Sequence, residues 1–210
     1  MSNKEVIVLN HPLIHHKLAK LRDKNTCTKE FRETVGEIAG LMAYEATREI
    51  PTMKKEIITP VGVANCSVLS HEIVIVPILR AGLGMVEAIQ NLIPTAKIGH
   101  IGLYRDEETL EPHEYYAKFP PTLPNAIVLL VDPMLATGHS AAAAIDILKK
   151  AGAKHIVYLG IVGVQAGIDT ITSQHPDVKV VLATQDERLN EKGYIVPGLG
   201  DCGDRLFGTK

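Results

Sequence analysis

The sequence predicts an α/β fold: a doubly wound, mostly parallel sheet of about five strands, with N-terminal helices and a β-hairpin appended. Two observations carry that expectation. Short apolar runs recur at Ile73–Leu79, Lys97–Tyr104, Ala126–Val131, His155–Val162 and Val178–Thr184. Helical patterns lie between several of them, and strands that alternate with helices build parallel sheets. The chain has 210 residues, enough for one well-buried domain and short for two. Residues 1–210 are therefore expected to form a single domain.

In order along the chain, Val6–Leu9 is a short β-like run, and HPLIHHKLAKLRDKN then has a helical pattern with Leu13, Leu18 and Leu21 on one face. Adjacent His15 and His16 point in different directions on a helix, so they read as surface histidines and not as a metal pair. Thr28–Glu49 is the longest helical pattern, with Phe31, Val35, Ile38, Leu41 and Met42 at helical spacing, Thr28 placed to cap it and Pro51 to end it. It is expected in the core or at a dimer interface. Ile57–Leu69 is rich in β-branched residues and broken by Pro60 and Gly62, which predicts a hairpin.

Ile73–Leu79 is apolar throughout and is followed at once by Arg80, then by the helical stretch AGLGMVEAIQNLI. An arginine there serves equally as an end-of-strand charge reaching water or as an anion-binding group at the mouth of the sheet. Arg105 repeats the arrangement after Lys97–Tyr104. The polar, proline-rich segment from Asp106 to Pro124 is long for a compact domain, which suggests a lid, with a short hairpin around Glu114–Lys118.

The most informative stretch is AIVLLVDPMLATGHS, residues 126–140, followed by AAAAIDILKKAG. It reads as strand, loop, helix, and His155–Val162 supplies the next strand of a βαβ unit. Ligands of open α/β sheets sit at that loop, at the strand's carboxyl end. The first amides of a helix lack internal partners and the helix dipole is positive there, so Thr137, Gly138 and Ser140 suit a phosphate monoester. No GxxxxGK[ST] occurs, so this is not a Walker loop. Asp132, an acceptor beside that cradle, suits the hydroxyls of a sugar phosphate. Near the C-terminus, Gly198-Leu199-Gly200-Asp201-Cys202-Gly203 matches GxGxxG literally. It lacks the βαβ context of a dinucleotide site and reads better as a loop offering backbone groups to a flat ligand.

Composition narrows the classes. Lysine and arginine number 22 against 24 aspartate and glutamate, a net charge of −2, which gives no general affinity for nucleic acid or anionic membranes. The start MSNKEVIVLNHPL has no apolar segment behind a basic stretch, so no signal peptide is expected, and no apolar run approaches bilayer length. Cys27, Cys66 and Cys202 are odd in number with no CxxC pair, the pattern of reduced thiols in a cytoplasmic protein.

Together, PILRAGLGM, HIGLYRDEETLEP, VDPMLATGHSAAAAIDILKKAGAK and GYIVPGLGDCGDRLFGTK resemble the uracil phosphoribosyltransferases, type I phosphoribosyltransferases, over nearly the whole chain. The resemblance implies transfer of ribose 5-phosphate from phosphoribosyl pyrophosphate (PRPP) to N1 of uracil, giving UMP and pyrophosphate, with Mg²⁺ bound alongside the donor. It implies that Asp132, Pro133, Met134, Leu135, Ala136, Thr137, Gly138, His139 and Ser140 hold the ribose and 5-phosphate, and that Arg80 and Arg105 bind pyrophosphate. Arg80, Arg105 and Asp132 would stabilise the leaving group and ribose without a covalent nucleophile. Backbone groups of Ile195 and of Gly200, Asp201 and Cys202 would read uracil, with Asp201 also facing the donor through metal or water. GTP as an activator and a homodimer or dimer of dimers belong to the same set of expectations.

Three departures stand out. His139 replaces the second glycine of the family loop, and is strained if that position has a positive φ; otherwise it adds a donor to the phosphate or points outward. Gly163-Val164-Gln165-Ala166-Gly167 stands where the family has a run like AAPEG, and Cys202 where alanine is usual. The competing classes are a ligand-sensing, RNA-binding regulator on the same fold, which the net charge does not favour, and a catalytically weakened paralogue.

Overall fold

A computed structural model describes residues 6–105 and 112–209. Its elements are β1 (Val6–Val8), α1 (Pro12–Arg22), α2 (Thr28–Ala46), β2 (Thr52–Ile58), β3 (Val63–Leu69), β4 (Ile73–Leu79) and α3 (Leu83–Leu92). There follow β5 (Lys97–Ile98), β6 (His100–Arg105), β7 (Pro112–Lys118), β8 (Ile127–Val131), β9 (Met134–Leu135), α4 (His139–Lys150) and β10 (His155–Val164). The chain ends with α5 (Gln165–Gln174), β11 (Lys179–Asp186), β12 (Arg188–Leu189), β13 (Ile195–Val196) and α6 (Cys202–Phe207).

The central sheet runs β1-β11-β10-β8-β4-β6-β7. Every pairing from β1 to β6 is parallel, and β7 closes one edge antiparallel to β6. The predicted α/β class holds, and the five predicted strands form the middle of a nine-stranded sheet. The predicted strand Lys97–Tyr104 is split into β5 and β6, both paired with β4, and the additions are the three-residue β1, paired with β11, the antiparallel β7, and the short β9 on β10.

Each central strand is buried on both faces, and alternate residues feed two cores. Ile73, Ile75, Leu129, Val131, Leu159 and Ile161 pack with α1, α2, α3 and α6. Val74, Val76, Val128, Leu130 and Tyr158 pack with α4 and α5 on the other face. The strands therefore read as unbroken apolar runs, as strands of a covered parallel sheet do.

The N-terminal helices differ in detail from expectation. On α1 the buried stripe is Ile14, Leu18 and Leu21, and Leu13 is exposed. Thr28 is the first residue of α2 and not its cap; Cys27 takes the cap position without a side-chain bond, and the helix ends at Ala46, ahead of Pro51. In the core, one of the two places expected for it, α2 buries Phe31, Val35, Ile38, Ala39, Met42 and Ala43 completely and packs on one face of the sheet, so it is integral to the domain and not appended to it. The predicted hairpin is present as β2 and β3, a two-stranded sheet of its own that starts earlier, at Thr52.

Candidate active site

The chain runs outward from the middle of the sheet in both directions, β6 lying on one side of β4, and β8, β10 and β11 on the other. Such a switch point leaves a crevice at the strands' carboxyl ends. Two loops meet there, one after β4 and one after β8.

The loop after β8 is pinned to β10. Asp132 N–H donates to Leu159 O at 3.1 Å, and Pro133 O accepts from Ile161 N and Val162 N, each at 3.0 Å. Leu135 pairs with Gly163 through β9 and sends its side chain into the core. Pro133 and Leu135 thus serve as scaffold, whereas Met134 and Ala136 line the crevice. At the turn into α4, Gly138 has φ 83°, and a Cβ there would lie 2.7 Å from Gly167 O and 2.7 Å from Thr170 Cβ. Only glycine accepts both the left-handed backbone and that close approach. From α5, Thr170 Oγ1 donates to Thr137 O at 2.8 Å. Ala142 N makes the first intrahelical bond of α4, to Gly138 O, so the amides of His139, Ser140 and Ala141 have no partner within the helix. Beside them, Thr137 Oγ1 is buried without a hydrogen-bond partner among the described residues. A phosphate oxygen would satisfy a hydroxyl and amides disposed in this way.

The positive φ falls on Gly138, not on His139. His139 is the first residue of α4 and exposed, so the strain considered from the sequence does not arise there.

The opposite wall comes from the C-terminal segment. β12 and β13 pair antiparallel across a turn in which Asn190 Oδ1 accepts from Lys192 N and Tyr194 N. After a cis Val196–Pro197 bond, the glycine-rich stretch leads into α6. Asp201 caps that helix, its Oδ1 accepting from Asp204 N at 2.9 Å. The match to GxGxxG thus runs into a six-residue helix that begins inside it, at Cys202, and is preceded by a two-residue antiparallel strand, which is not a dinucleotide-binding βαβ unit.

Between the walls lies a cavity of about 240 Å³. Asp132, Met134 and Ala136 line it on one side, and Tyr194, Ile195 and Gly200–Gly203 on the other, with Ala81 from the turn after β4. Asp132, Ile195, Gly200, Asp201 and Cys202, singled out separately in the sequence, are thereby brought together. Burial, with the nearby charges of Asp132 and Asp201, pushes the Cys202 thiol far above its ordinary range. It stays protonated, and its backbone is what it can offer. Burial and the charge of Asp132 push the Tyr158 phenol up in the same way.

Arg80 follows β4 across a cis peptide bond, is exposed, and sits 5.9 Å from the centre of the Phe207 ring. The backbone of Arg105 ends β6, whereas its side chain and residues 106–111, the first part of the segment expected as a lid, lie outside the described residues. The remainder, 112–124, is described, and there β7 pairs antiparallel with β6 instead of forming a short hairpin around Glu114–Lys118. A second cavity, of about 250 Å³, opens at the other end of the strands among Ile50, Pro51, Ile127, Val157, His71 and His155, far from these loops.

The uracil phosphoribosyltransferase family profile matches residues 8–209. The chain belongs to the uracil phosphoribosyltransferase family. A uracil phosphoribosyltransferase of Acholeplasma laidlawii is 60% identical over 206 residues, 98% of this chain and 99% of that one. One from Geobacillus kaustophilus is 56% identical over 207 residues, again 98% and 99% of the two chains. A solved protein from Aquifex aeolicus superposes with a TM-score of 0.93 at 39% identity, covering 98% of this chain and 99% of its own. The adenine phosphoribosyltransferase of Trypanosoma brucei shares the fold, with a TM-score of 0.58 at 14% identity and coverage of 86% and 83%.

Set against this family's pattern, the unusual 163–167 run is the end of β10 and the first turn of α5. Gln165 Nε2 donates to Asp169 Oδ1 at 2.9 Å and Gln165 Oε1 accepts from Gln185 at 3.0 Å, while Gly167 lies close against Leu135, Ala136 and Gly138. Among the described residues there is no cluster of three or more His, Cys, Asp or Glu to hold a metal. Two carboxylates, Asp132 and Asp201, do line one cavity, and Mg²⁺ commonly takes one or two carboxylates together with substrate phosphates. No helix is long and apolar enough to cross a membrane, among the described residues.

Several groups escaped the sequence reading. Ala81 and Tyr194 line the cavity, and Arg22, Asp186 and Arg205 hold its C-terminal wall. Asp186 follows the polar pair Thr184-Gln185 and not an unbroken apolar run as Asp132 does, so neither it nor Arg22 was marked in the sequence.

Proposed function

We propose that this chain transfers the 5-phosphoribosyl group from PRPP to N1 of uracil, acting as one domain over residues 1–210. The observation that carries the reading is the cavity shared by Asp132 and the Ile195 and Gly200–Cys202 backbone, beside the amides at the start of α4. The α4 amides, Thr137 and Ser140 hold the 5-phosphate, and Asp132 accepts from ribose hydroxyls. Arg80 and Arg105 take the pyrophosphate. Backbone donors and acceptors of Ile195 and Gly200–Cys202 meet the uracil edge, where O4 accepts and N3–H donates.

In the reaction the C1–O bond to pyrophosphate breaks with its electron pair leaving on the pyrophosphate oxygen, a C1–N1 bond forms, and the N1 proton passes to the departing pyrophosphate or to solvent. The ribose gains oxocarbenium character, as in glycoside cleavage. No side-chain nucleophile is needed; orientation and stabilisation of the departing charge suffice. The protonated Cys202 thiol is in keeping with that. Asp132 and Asp201 would hold Mg²⁺ with the donor's oxygens, and the ion would supply charge neutralisation for the leaving pyrophosphate. Cytosine reverses the donor and acceptor at the edge uracil presents, so mispaired buried groups, each costing ~1–3 kcal/mol, exclude it.

A homodimer is part of the proposal. The β2–β3 hairpin forms a sheet of its own with Met53, Ile58, Val61 and Val63 exposed, and an isolated two-stranded hairpin is marginal in water. The deciding experiment is pyrophosphate release by the purified chain with PRPP and Mg²⁺, with and without uracil. Release that depends on uracil and is much slower with cytosine is expected; release at background would refute the reading.

A further inference from the structure

We propose that Arg22, Asp186 and Arg205 are positioning residues for base recognition, fixing the Gly198–Leu199 turn that joins Ile195 to Gly200–Cys202. The inference rests on the assignment of those two stretches to uracil and extends it to residues that do not touch the base.

Asp186 is the last residue of β11, and its side chain is only 4% exposed. Arg22, the last residue of α1, meets it with a two-pronged contact, Nη1 to Oδ2 at 2.8 Å and Nη2 to Oδ1 at 2.6 Å. Both partners also hold the same backbone residue. Arg22 Nη1 donates to Gly198 O at 2.8 Å, and Gly198 N donates to Asp186 Oδ2 at 2.8 Å. One ion pair therefore satisfies both polar groups of Gly198. Gly198 itself has φ 59°, and a Cβ there would lie 2.2 Å from Ile195 O. The turn is folded tightly back on the residue assigned to the base, with no room for another side chain.

Arg205 holds the next residue. Its Nη1 donates to Leu199 O at 2.7 Å and also to Leu21 O, while Nη2 donates to Asp23 O at 2.6 Å. Its guanidinium lies 4.2 Å from the centre of the Phe31 ring, and Phe31 is fully buried in α2. The turn is thus tied to the end of α1 and to the core face of α2, both distant in sequence.

The arrangement matters because the base is read by backbone groups. Backbone donors and acceptors are the same at every residue, so their selectivity lies wholly in where they are held. Placement to about half an ångström is what such a constellation requires. Apart from Asp201, which is held separately as the cap of α6, the donor site is fixed by a different set of contacts, from β10 and Thr170 to residues 132–138. Releasing the clamp should therefore loosen the uracil site and leave the PRPP site largely intact, whereas a merely structural role would weaken both together.

The test uses the full chain in two forms. The double variant Arg22→Met with Asp186→Leu removes both charges at similar volume, so no buried charge is left alone. Arg205→Lys keeps the charge and loses the fork geometry. For each, circular dichroism and thermal unfolding report folding, and steady-state kinetics give KM for uracil, KM for PRPP and the ratio of kcat/KM for uracil over cytosine. Folded variants are expected to show KM for uracil raised by about tenfold and the uracil preference reduced by about tenfold, the effect of one lost, well-placed hydrogen bond to the base, with KM for PRPP changed by less than about threefold. A folded variant in which KM for uracil is unchanged, or in which both KM values rise together, overturns the proposal. Failure of both forms to fold overturns it too, because the residues would then be purely structural. If the unmodified chain shows no uracil-dependent pyrophosphate release, the proposed function has failed and this inference falls with it, a result distinct from a working enzyme whose variants show no split.

Discussion

Replacing Gly138 with alanine puts a methyl group where the backbone has no room for one. The φ of 83° at this position costs an L-residue roughly 1–2 kcal/mol. The new Cβ would also lie 2.7 Å from Gly167 O and from Thr170 Cβ, so the loop or the start of α5 must yield. Overpacking of that kind costs about 1–3 kcal/mol. Together the two effects come to about 2–5 kcal/mol, or a Tm lowered by about 4–20 °C at the ~2–4 °C per kcal/mol usual for a chain of this size. The displaced segment carries Thr137 and the first amides of α4, and a misplacement of half an ångström or more should lower kcat/KM for PRPP by at least about tenfold. Thermal unfolding and a PRPP titration at saturating uracil read both effects. A Tm within about 2 °C of the parent, with kcat/KM for PRPP unchanged, would refute the claim that this glycine shapes the phosphate site. His139→Gly is the matched control: because His139 is helical and exposed, the change should leave KM for PRPP where it is, and a severalfold tighter KM would reinstate strain at His139.

Other expectations follow from the same geometry. Phe207→Leu removes the ring facing Arg80, a contact worth ~0.5–1 kcal/mol at an exposed site, so KM for PRPP should rise about two- to fivefold with KM for uracil steady; an unchanged KM for PRPP would count against a supporting role for the ring. Met42→Ala opens a cavity in a fully buried part of α2 and should cost about 2–5 kcal/mol in urea unfolding, whereas a loss under about 0.5 kcal/mol, the usual effect of a surface change, would mean that α2 is peripheral. Asp186 offers a pH test. Burial would raise its pKa, but the Arg22 guanidinium and the Gly198 amide outweigh burial and hold it below the usual carboxylate range. A depressed folded pKa stabilises above the unfolded value of about 3.9 and is lost as pH falls through the folded one. Asp186→Asn should therefore be less stable than the parent at pH 5–8, with the gap closing below about pH 4; a gap independent of pH would exclude the charge as the cause.

Much of this protein follows from local pattern. Ile73–Leu79 reads as a strand because a strand covered on both faces needs apolar residues at every position, and its observed limits coincide with the apolar run. Asp132 stands out because it ends such a run beside a helix start with Thr137, Gly138 and Ser140. These signals lie within a dozen residues of one another, so the proposed phosphate loop and its acid can be picked out without a structure. Family resemblance then names the chemistry.

What the tertiary structure alone decides is set by contacts between distant parts of the chain. Three residues at Val6–Val8 cannot reveal a strand's partner, yet they extend the sheet by pairing with β11. Whether position 138 or 139 carries the positive φ depends on the approach of Gly167 and Thr170 from another helix. The turn behind the proposed base site is held by Arg22 and Asp186, 164 residues apart, and no periodicity or motif joins them. Hydrophobic pattern is local and survives in one dimension. A hydrogen bond between distant residues exists only once packing has brought its partners together.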